Sequence, residues 1–151
     1  MANKYLTEEN YVAVINSHTI VDWQPLLVLI PKIQRARTFG KWISSNKGDG
    51  TIENPYQIPH FYNSKLVNQF ASFAYDLPIL VNFSWICWDD LHTYLKDKTF
   101  DFDTIDIPTK CKVITAIIRA DRFCESATAA EFKSGLIVRI LKSIQKQLHE
   151  K

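Results

Sequence analysis

The fold class is decided by the stretch Phe132–Leu148, which reads FKSGLIVRILKSIQKQL. Its apolar residues recur every three or four positions, which places them on one face of a helix. That face consists of Phe132, Leu136, Ile137, Ile140, Leu141, Ile144 and Leu148. Ser126 precedes the pattern and is a residue type that favours helix N-caps. We therefore predict a long final helix that begins at Ser126 and turns one face to the core.

Five further segments upstream have helical patterns. Pro31 should kink or split the second of them, because proline lacks the backbone donor that a helix interior needs. Pro108 suits the first turn of the fifth. The first predicted helix covers residues 7–17, and the second runs from Trp23 onward and includes Ile33. The others cover 64–75, 85–95 and 111–120, and the caps are at Asp22, at Asn63 or Ser64, and at Ser84.

Two runs rich in aromatic and β-branched residues, Phe39–Ser44 and Thr51–Ile58, flank a glycine-rich turn at 48–50. This pattern predicts a β-hairpin near 39–58, and Pro55 and Pro59 confine its second strand to an edge. The predicted class is mainly α (α+β): a single helical domain of about five or six helices with a small hairpin. We assign residues 1–151 to that domain, with the helix within 1–18 as an N-terminal appendage.

Composition limits the class of protein. The chain has 151 residues, 46% of them hydrophobic, and a net charge of +2, which fits one folded domain and is too mild to indicate a nucleic-acid partner. Its three cysteines lack C-x-x-C spacing. No signal-peptide pattern is present, and the run Leu26–Ile30 is far shorter than the ~20 residues of a membrane span. We therefore expect a reduced, cytoplasmic protein that does not enter a membrane.

The stretch Thr115–Glu125, TAIIRADRFCE, carries the strongest functional signal. Arg119 and Arg122 are three residues apart, so on a helix both guanidinium groups can reach one anion. Continuing that helix places Asp121 and Glu125 near its buried side, where an ionised carboxylate needs a partner. These four residues are the main candidates for a functional site.

Three interpretations of these residues stay open. Asp121, Arg122 and Glu125 could form an internal ion-pair network between two helices. Alternatively, Arg119 and Arg122 keep free charge and bind a phosphate, a nucleotide or an acidic protein surface. In the third, Asp121 or Glu125 is the general base or a metal ligand of an enzyme that acts on a nucleotide or phosphodiester, and the arginines stabilise developing charge.

A resemblance to a known family rests on three motifs: KVITAIIRADRFCE at 112–125, EFKSGLIVRIL at 131–141 and NPYQIPHFYNSKLVNQF at 54–70. With the Trp85–Trp88 segment, they resemble a bacterial family of unknown function, DUF6508, over about Leu26–Lys146. The resemblance implies an origin in bacteria or their mobile elements, and it implies no activity. One departure is Ser126, where the family pattern leads us to expect glycine; we interpret the serine as a sign of a more regular helix start.

Aromatic residues gather around the predicted hairpin, and Trp42 and Tyr56 are the main ones, with Lys41 and His60 close by. Bases and other flat ligands stack on such rings while cationic side chains bind phosphate. Small helical cores also use rings to fill volume, so core packing is the alternative. We add Trp42, Lys41, Tyr56 and His60 to the candidate ligand-binding residues.

No histidine or cysteine set has zinc spacing, and Asp101 and Asp103 lack the rest of a calcium loop, so we expect no metal and no cofactor. Charge is uneven along the chain: 89–106 is acidic, whereas 32–41 and 110–122 are basic. That asymmetry suits a negative partner or an antiparallel homodimer. A protein that mimics nucleic acid through its acidic segment would need more negative charge.

The leading prediction is therefore a small binding or interaction module that recognises an anionic ligand or an acidic protein surface through its arginine pair and aromatic residues. The ligand class includes nucleotides, and nucleic acid is a weaker candidate partner. The alternative prediction is the enzyme described above.

Overall fold

Helices dominate the chain, and one antiparallel pair of strands lies between them, so the predicted fold class is confirmed. A computed structural model describes residues 4–44, 48–56 and 58–150. The ends of the predicted domain and one residue of its predicted second strand, Gln57, lie outside the described residues. The elements in chain order are α1 (Tyr11–Ser17), α2 (Ile20–Leu27), α3 (Leu29–Arg35), β1 (Gly40–Ile43), β2 (His60–Asn63), α4 (Lys65–Asp76), α5 (Leu91–Lys96), α6 (Ile107–Arg119), α7 (Ala127–Lys133) and α8 (Leu136–His149).

The last helix, α8, is the centre of the core. It packs against α2, α3, α6 and α7. All seven residues of the predicted apolar face are buried, which confirms that prediction. Because each removes apolar surface from water, this face is a main source of the free energy that holds the helices together.

The predicted final helix is divided into α7 and α8. The break falls at Gly135, whose φ of 88° is the left-handed conformation that glycine adopts without steric cost. Ser126 also has a positive φ, 71°, and its side chain makes no cap hydrogen bond to α7. The expectation of a regular, serine-capped helix start is therefore wrong. A left-handed backbone at 126 also gives a physical reason for a glycine at that position.

The second strand of the hairpin lies later in the chain than predicted. It is His60–Asn63, and it pairs with β1 so that Trp42 lies opposite Phe61. The segment from 49 to 54 instead forms a compact turn, in which the Asp49 and Gly50 N–H groups donate to the Asn54 carbonyl. Two prolines between that turn and β2 cannot donate to a strand ladder, so regular pairing begins only after the second of them.

Two helix starts also differ from their predictions. Thr19, not Asp22, is the N-cap of α2; the two residues form a reciprocal capping box in which Asp22 accepts the Thr19 backbone N–H at 2.8 Å. The helix predicted over 85–95 is a short 3-10 turn, Trp85–Cys87, followed by α5. Ser84 makes no side-chain cap hydrogen bond.

The N-terminal segment packs on the body of the fold. Ile15 of α1 is buried, and α1 lies against α6. The Leu6 N–H donates to the Leu80 carbonyl at 2.8 Å, and the Asn82 N–H donates to the Leu6 carbonyl at 2.7 Å. These contacts bring the N-terminal segment beside the chain that leads into the Trp85–Cys87 turn.

The acidic segment is used in part to hold α8. The Asp103 carboxylate accepts hydrogen bonds from the Lys146 ammonium, at 2.8 Å, and from the Ser143 hydroxyl. These bonds, the one from Lys146 first, hold the pKa of Asp103 below its usual value. Arg139 donates to the Phe100 carbonyl at 2.7 Å. Part of the negative charge of the segment is thus compensated within the protein.

Candidate functional site: an arginine cleft at the end of α6

The candidate site lies where α6 ends. Asp106 caps the start of the helix by accepting the Thr109 N–H at 2.9 Å. After Arg119 the chain continues as one 3-10 turn, Ala120–Arg122, and then runs through an irregular segment into α7. The chain stays helical over the interval from Arg119 to Arg122, and both side chains reach the same cleft.

The second wall of this arginine cleft comes from the segment that contains the Trp85–Cys87 turn. The cleft has a volume of about 340 Å³. Its lining is largely apolar and aromatic, and consists of Phe83, Ser84, Trp85, Ile86, Cys87, Arg119, Arg122 and Phe123. The Trp85 and Phe123 rings lie 5.8 Å apart, centroid to centroid. Phe123 and Ile86 are 71% and 68% exposed, which is unusual for large apolar side chains that only fill a core.

No acidic residue in the described part of the chain neutralises the two arginines. Among residues 4–44, 48–56 and 58–150, neither guanidinium has an acidic partner within ion-pair distance. The Arg119 guanidinium carbon lies 5.5 Å from the centroid of the Tyr5 ring, in cation–π contact. Arg119 is half-buried and Arg122 is exposed. Two positive charges therefore border one cleft, with aromatic rings between and beside them.

The neighbouring carboxylates have other partners. Asp121 accepts hydrogen bonds from the Asn63 side-chain amide and from the Thr128 backbone N–H, both at 2.8 Å. It thereby joins the end of β2 to the start of α7. The predicted ion-pair network of Asp121 and Glu125 with Arg122 is therefore wrong in its partners, because neither carboxylate pairs with an arginine.

Glu125 holds the outer side of β2. One of its carboxylate oxygens is 3.1 Å from His60 Nδ1, and the other accepts the Phe61 backbone N–H at 3.3 Å. The contact with His60 is the main cause that lowers the pKa of Glu125. Neither Asp121 nor Glu125 lines the arginine cleft.

The other predicted binding residues lie away from that cleft. Trp42 is 56% exposed and lines a different cavity, under the hairpin. Lys41 lies opposite Tyr62 in the sheet, and Tyr56 is an exposed residue whose ring packs on Gly50. His60 is the partner of Glu125. The structure brings Arg119 and Arg122 together, but it does not add the hairpin residues to their cleft.

The sequence analysis missed the rings that complete the cleft: Phe83, Trp85 and Phe123. One signal was present, because Phe123 directly follows Arg122 on the polar side of the helical pattern, where a large apolar residue has no core to fill. The contribution of residues 83–87 could not be inferred, since it depends on how a distant segment folds back against α6.

Two properties of the described residues bear on cofactors and membranes. Within 4–44, 48–56 and 58–150, no group of three or more histidine, cysteine, aspartate or glutamate side chains is arranged to hold a metal ion. In the same ranges no single helix has the length and apolar composition to cross a membrane, although α1 taken with residues 20–35 passes that test as a pair bent by 90°.

The fold and the cleft define a small, mainly α-helical domain with a two-stranded sheet and an exposed cationic and aromatic cleft. Residues 18–150 match the model of a family of unknown function (DUF6508), and the chain belongs to that family. This match confirms the resemblance inferred from the motifs. It covers residues 18–150, whereas the motifs covered about Leu26–Lys146. Comparison with curated proteins and with solved structures gives no match.

Proposed function

We propose that this protein is a binding module whose arginine cleft recognises an anionic group attached to a flat, apolar body. A nucleotide is a small molecule of this kind, and an acidic protein surface with an aromatic side chain presents the same chemistry. The observation that carries the proposal is a cleft of about 340 Å³ that combines three aromatic rings with two guanidinium groups, neither of which has an acidic partner among the residues that the structure describes.

The chemistry of the cleft suits both parts of such a ligand. Each guanidinium has a planar fork of donors that matches phosphate or carboxylate oxygens, and two forks on one anion give geometric selectivity. Trp85 and Phe123 offer ring faces for a flat moiety. The volume lies at the lower end of the range for small-molecule sites, roughly 300–1,000 Å³, so one mononucleotide-sized group fits the cleft better than an extended polymer.

No contact favours the catalytic alternative in the same way. The Asp121 carboxylate accepts hydrogen bonds from Asn63 of β2 and Thr128 of α7. The Glu125 carboxylate contacts His60 and the Phe61 N–H, both in β2. Both carboxylates lie outside the arginine cleft. We therefore propose binding without catalysis. The proposed setting is a reducing cytoplasm, which Cys87, Cys111 and Cys124 support as free thiols. A bacterial or mobile-element origin rests on the family resemblance alone.

The test is a titration with nucleoside monophosphates, with inorganic phosphate and the matching nucleosides as partial ligands, followed by amide chemical shifts and thermal unfolding. A nucleoside monophosphate at 100 times its Kd should add about 2.7 kcal/mol to the free energy of unfolding. Phosphate and nucleoside alone should bind more weakly. The shifted amides should belong to residues 83–87 and 119–123.

Three variants make the result specific. Arg122→Ala should weaken binding at least tenfold, and Arg119→Lys should weaken it although the positive charge remains, because the fork is lost. Arg35→Ala is the matched control, since Arg35 is exposed and lies at the end of α3, outside the cleft. Equal binding by all three variants, or shifts confined to other residues, would refute the arginine cleft as the site.

A further inference from the structure

The two outer edges of the sheet differ in whether their outward backbone groups have hydrogen-bond partners. β2 presents the Phe61 N–H outward, away from β1, and the Glu125 carboxylate accepts it at 3.3 Å. A side chain therefore closes this edge, which is one way in which proteins prevent further strands from pairing. The outer edge of β1 differs from that of β2 in this respect, and we base the inference on that difference.

The outer edge of β1 is open with respect to the described residues. In an antiparallel pair, the N–H and C=O of one residue point to the same side, and the side alternates along the strand. Because Phe61 points its N–H outward, its pair mate Trp42 also points its backbone groups outward from β1, and so does Gly40 two residues earlier. In the described part of the chain, these outward groups have no hydrogen-bond partner. Lys41, Trp42 and Ile43 are exposed.

A cavity of about 270 Å³ lies beside this open edge. Gly40 and Trp42 line it together with Phe61 and the small side chains of α7. The Trp42 and Phe61 rings meet edge to face at 5.3 Å between centroids, so they form an apolar wall. An apolar side chain entering beside Trp42 would be removed from water on several sides.

The two charged side chains that line the cavity are both positive. Arg37 and Lys133 line the cavity, both are exposed, and neither has an ion-pair partner among the described residues. No aspartate or glutamate lines the cavity, and Lys41 lies on β1 itself. A second copy of β1 that paired its Trp42 with Gly40 would bring like charges together, because Lys41 would then face its own counterpart. The charge therefore favours an acidic occupant over self-association.

We propose that β1 is a docking edge for an extended acidic segment of a partner protein, which adds a third strand to the sheet. The backbone of the segment pairs with the outward groups of Gly40 and Trp42. One of its apolar side chains enters the cavity beside Trp42, and its carboxylates meet Arg37 and Lys133. Strand addition of this kind takes affinity from the backbone and selectivity from alternate side chains. This surface is separate from the arginine cleft, and the two proposals can fail independently.

The test begins with two displayed libraries of eight-residue peptides made of random apolar residues, one with glutamate and the other with lysine at half of the positions, in random order. The acidic library should yield binders and the basic library none. Bound peptide should slow hydrogen exchange at the Gly40 and Trp42 amides. Failure to enrich from the acidic library, or protection elsewhere, would overturn the proposal.

Backbone pairing is tested by N-methylation of a selected peptide. Methyl groups on alternate residues of one phase remove the donors that face β1 and should abolish binding, whereas the other phase should retain it.

Arg37→Glu with Lys133→Glu should weaken binding at least tenfold. Lys98→Glu with Lys142→Glu changes the net charge equally at exposed sites outside the cavity and should leave binding unchanged. Equal loss with both N-methyl phases would contradict strand addition. Concentration-dependent dimers that protect the same amides without peptide would replace the acidic segment with a second copy.

Discussion

The two ends of α6 use their positive charges in opposite ways. Near the start of the helix, Lys110 is fully buried and its ammonium group donates to the Gln147 side chain of α8. Two residues further along, the Lys112 ammonium lies 4.5–5.6 Å from the ring centroids of Phe83, Trp88 and Tyr11. At the far end, Arg119 and Arg122 border an exposed cleft and have no acidic partner among the described residues.

This difference shows why charge type alone does not identify a binding site. The lysines contribute to the packing of α6 against α8 and α1, so their charges are used inside the fold. The arginines lie where the helix leaves the core, and no carboxylate of residues 4–44, 48–56 or 58–150 forms an ion pair with them. If this contrast is correct, variants at the start of α6 should change stability, and variants at its end should change binding.

The largest expected effect is on the pH dependence of stability through Lys110. Burial lowers the pKa of Lys110 from 10.5 to about 8, against the opposing attraction of Asp103. The unfolded chain therefore binds more protons than the folded protein between these two values, so the folded state gains stability as the pH rises through that window. Relative to Lys110→Met, the wild-type free energy of unfolding should rise by about 3 kcal/mol from pH 8 to above pH 10.5.

The measurement is chemical denaturation of both proteins at several pH values. Taking the difference between the two proteins removes the contribution of every group that titrates identically in both. Lys98→Met is the control for net charge, because Lys98 is exposed. If the free energies of unfolding of wild type and Lys110→Met change in parallel with pH, Lys110 keeps its charge at no cost. The proposed difference between the two ends of α6 would then fail at the start of the helix.

The start of α6 also shows how far the sequence could be interpreted. Apolar spacing was enough to predict the mainly α class and the buried face of α8, because a 3.6-residue period has one simple explanation. The burial of Lys110 was not predictable from the same pattern. It depends on where Gln147 of α8 lies relative to α6, and that is a tertiary relation between segments far apart in the chain.

The next effect concerns Asp121, which joins β2 to α7. Asp121→Ala should lower the free energy of unfolding by about 2–3 kcal/mol, because the Asn63 amide and the Thr128 N–H lose a charged acceptor. The Asn63 side-chain oxygen is buried and has no hydrogen-bond partner among the described residues, so Asp121 is the one described partner of this amide group. Asp89→Ala is the control, because Asp89 is exposed. Unchanged or increased stability in Asp121→Ala would mean that the carboxylate is held at a cost, as at many catalytic sites.

The candidate site could be predicted only in part, for the same reason that applies to Lys110. The spacing of Arg119 and Arg122 was sufficient to predict that they share one side of the chain. The partners of Asp121 and Glu125 come from β2, and the sequence analysis placed that strand too early. Because β2 was predicted in the wrong place, no local pattern could show that both carboxylates have hydrogen-bond partners. Nor could a local pattern show that neither arginine has an acidic partner among the described residues.

The smallest expected change in stability is at Arg122, and it is the sharpest test of the contrast. Arg122→Ala should alter the free energy of unfolding by less than about 0.5 kcal/mol, the usual range for an exposed side chain without a partner. Arg119→Ala should lower the free energy of unfolding by about 1 kcal/mol, because the variant lacks the guanidinium that contacts the Tyr5 ring. Denaturant unfolding of the two variants measures both values. A loss above 1 kcal/mol in Arg122→Ala would show that this side chain stabilises the fold, and its charge would then be unavailable as half of an anion clamp.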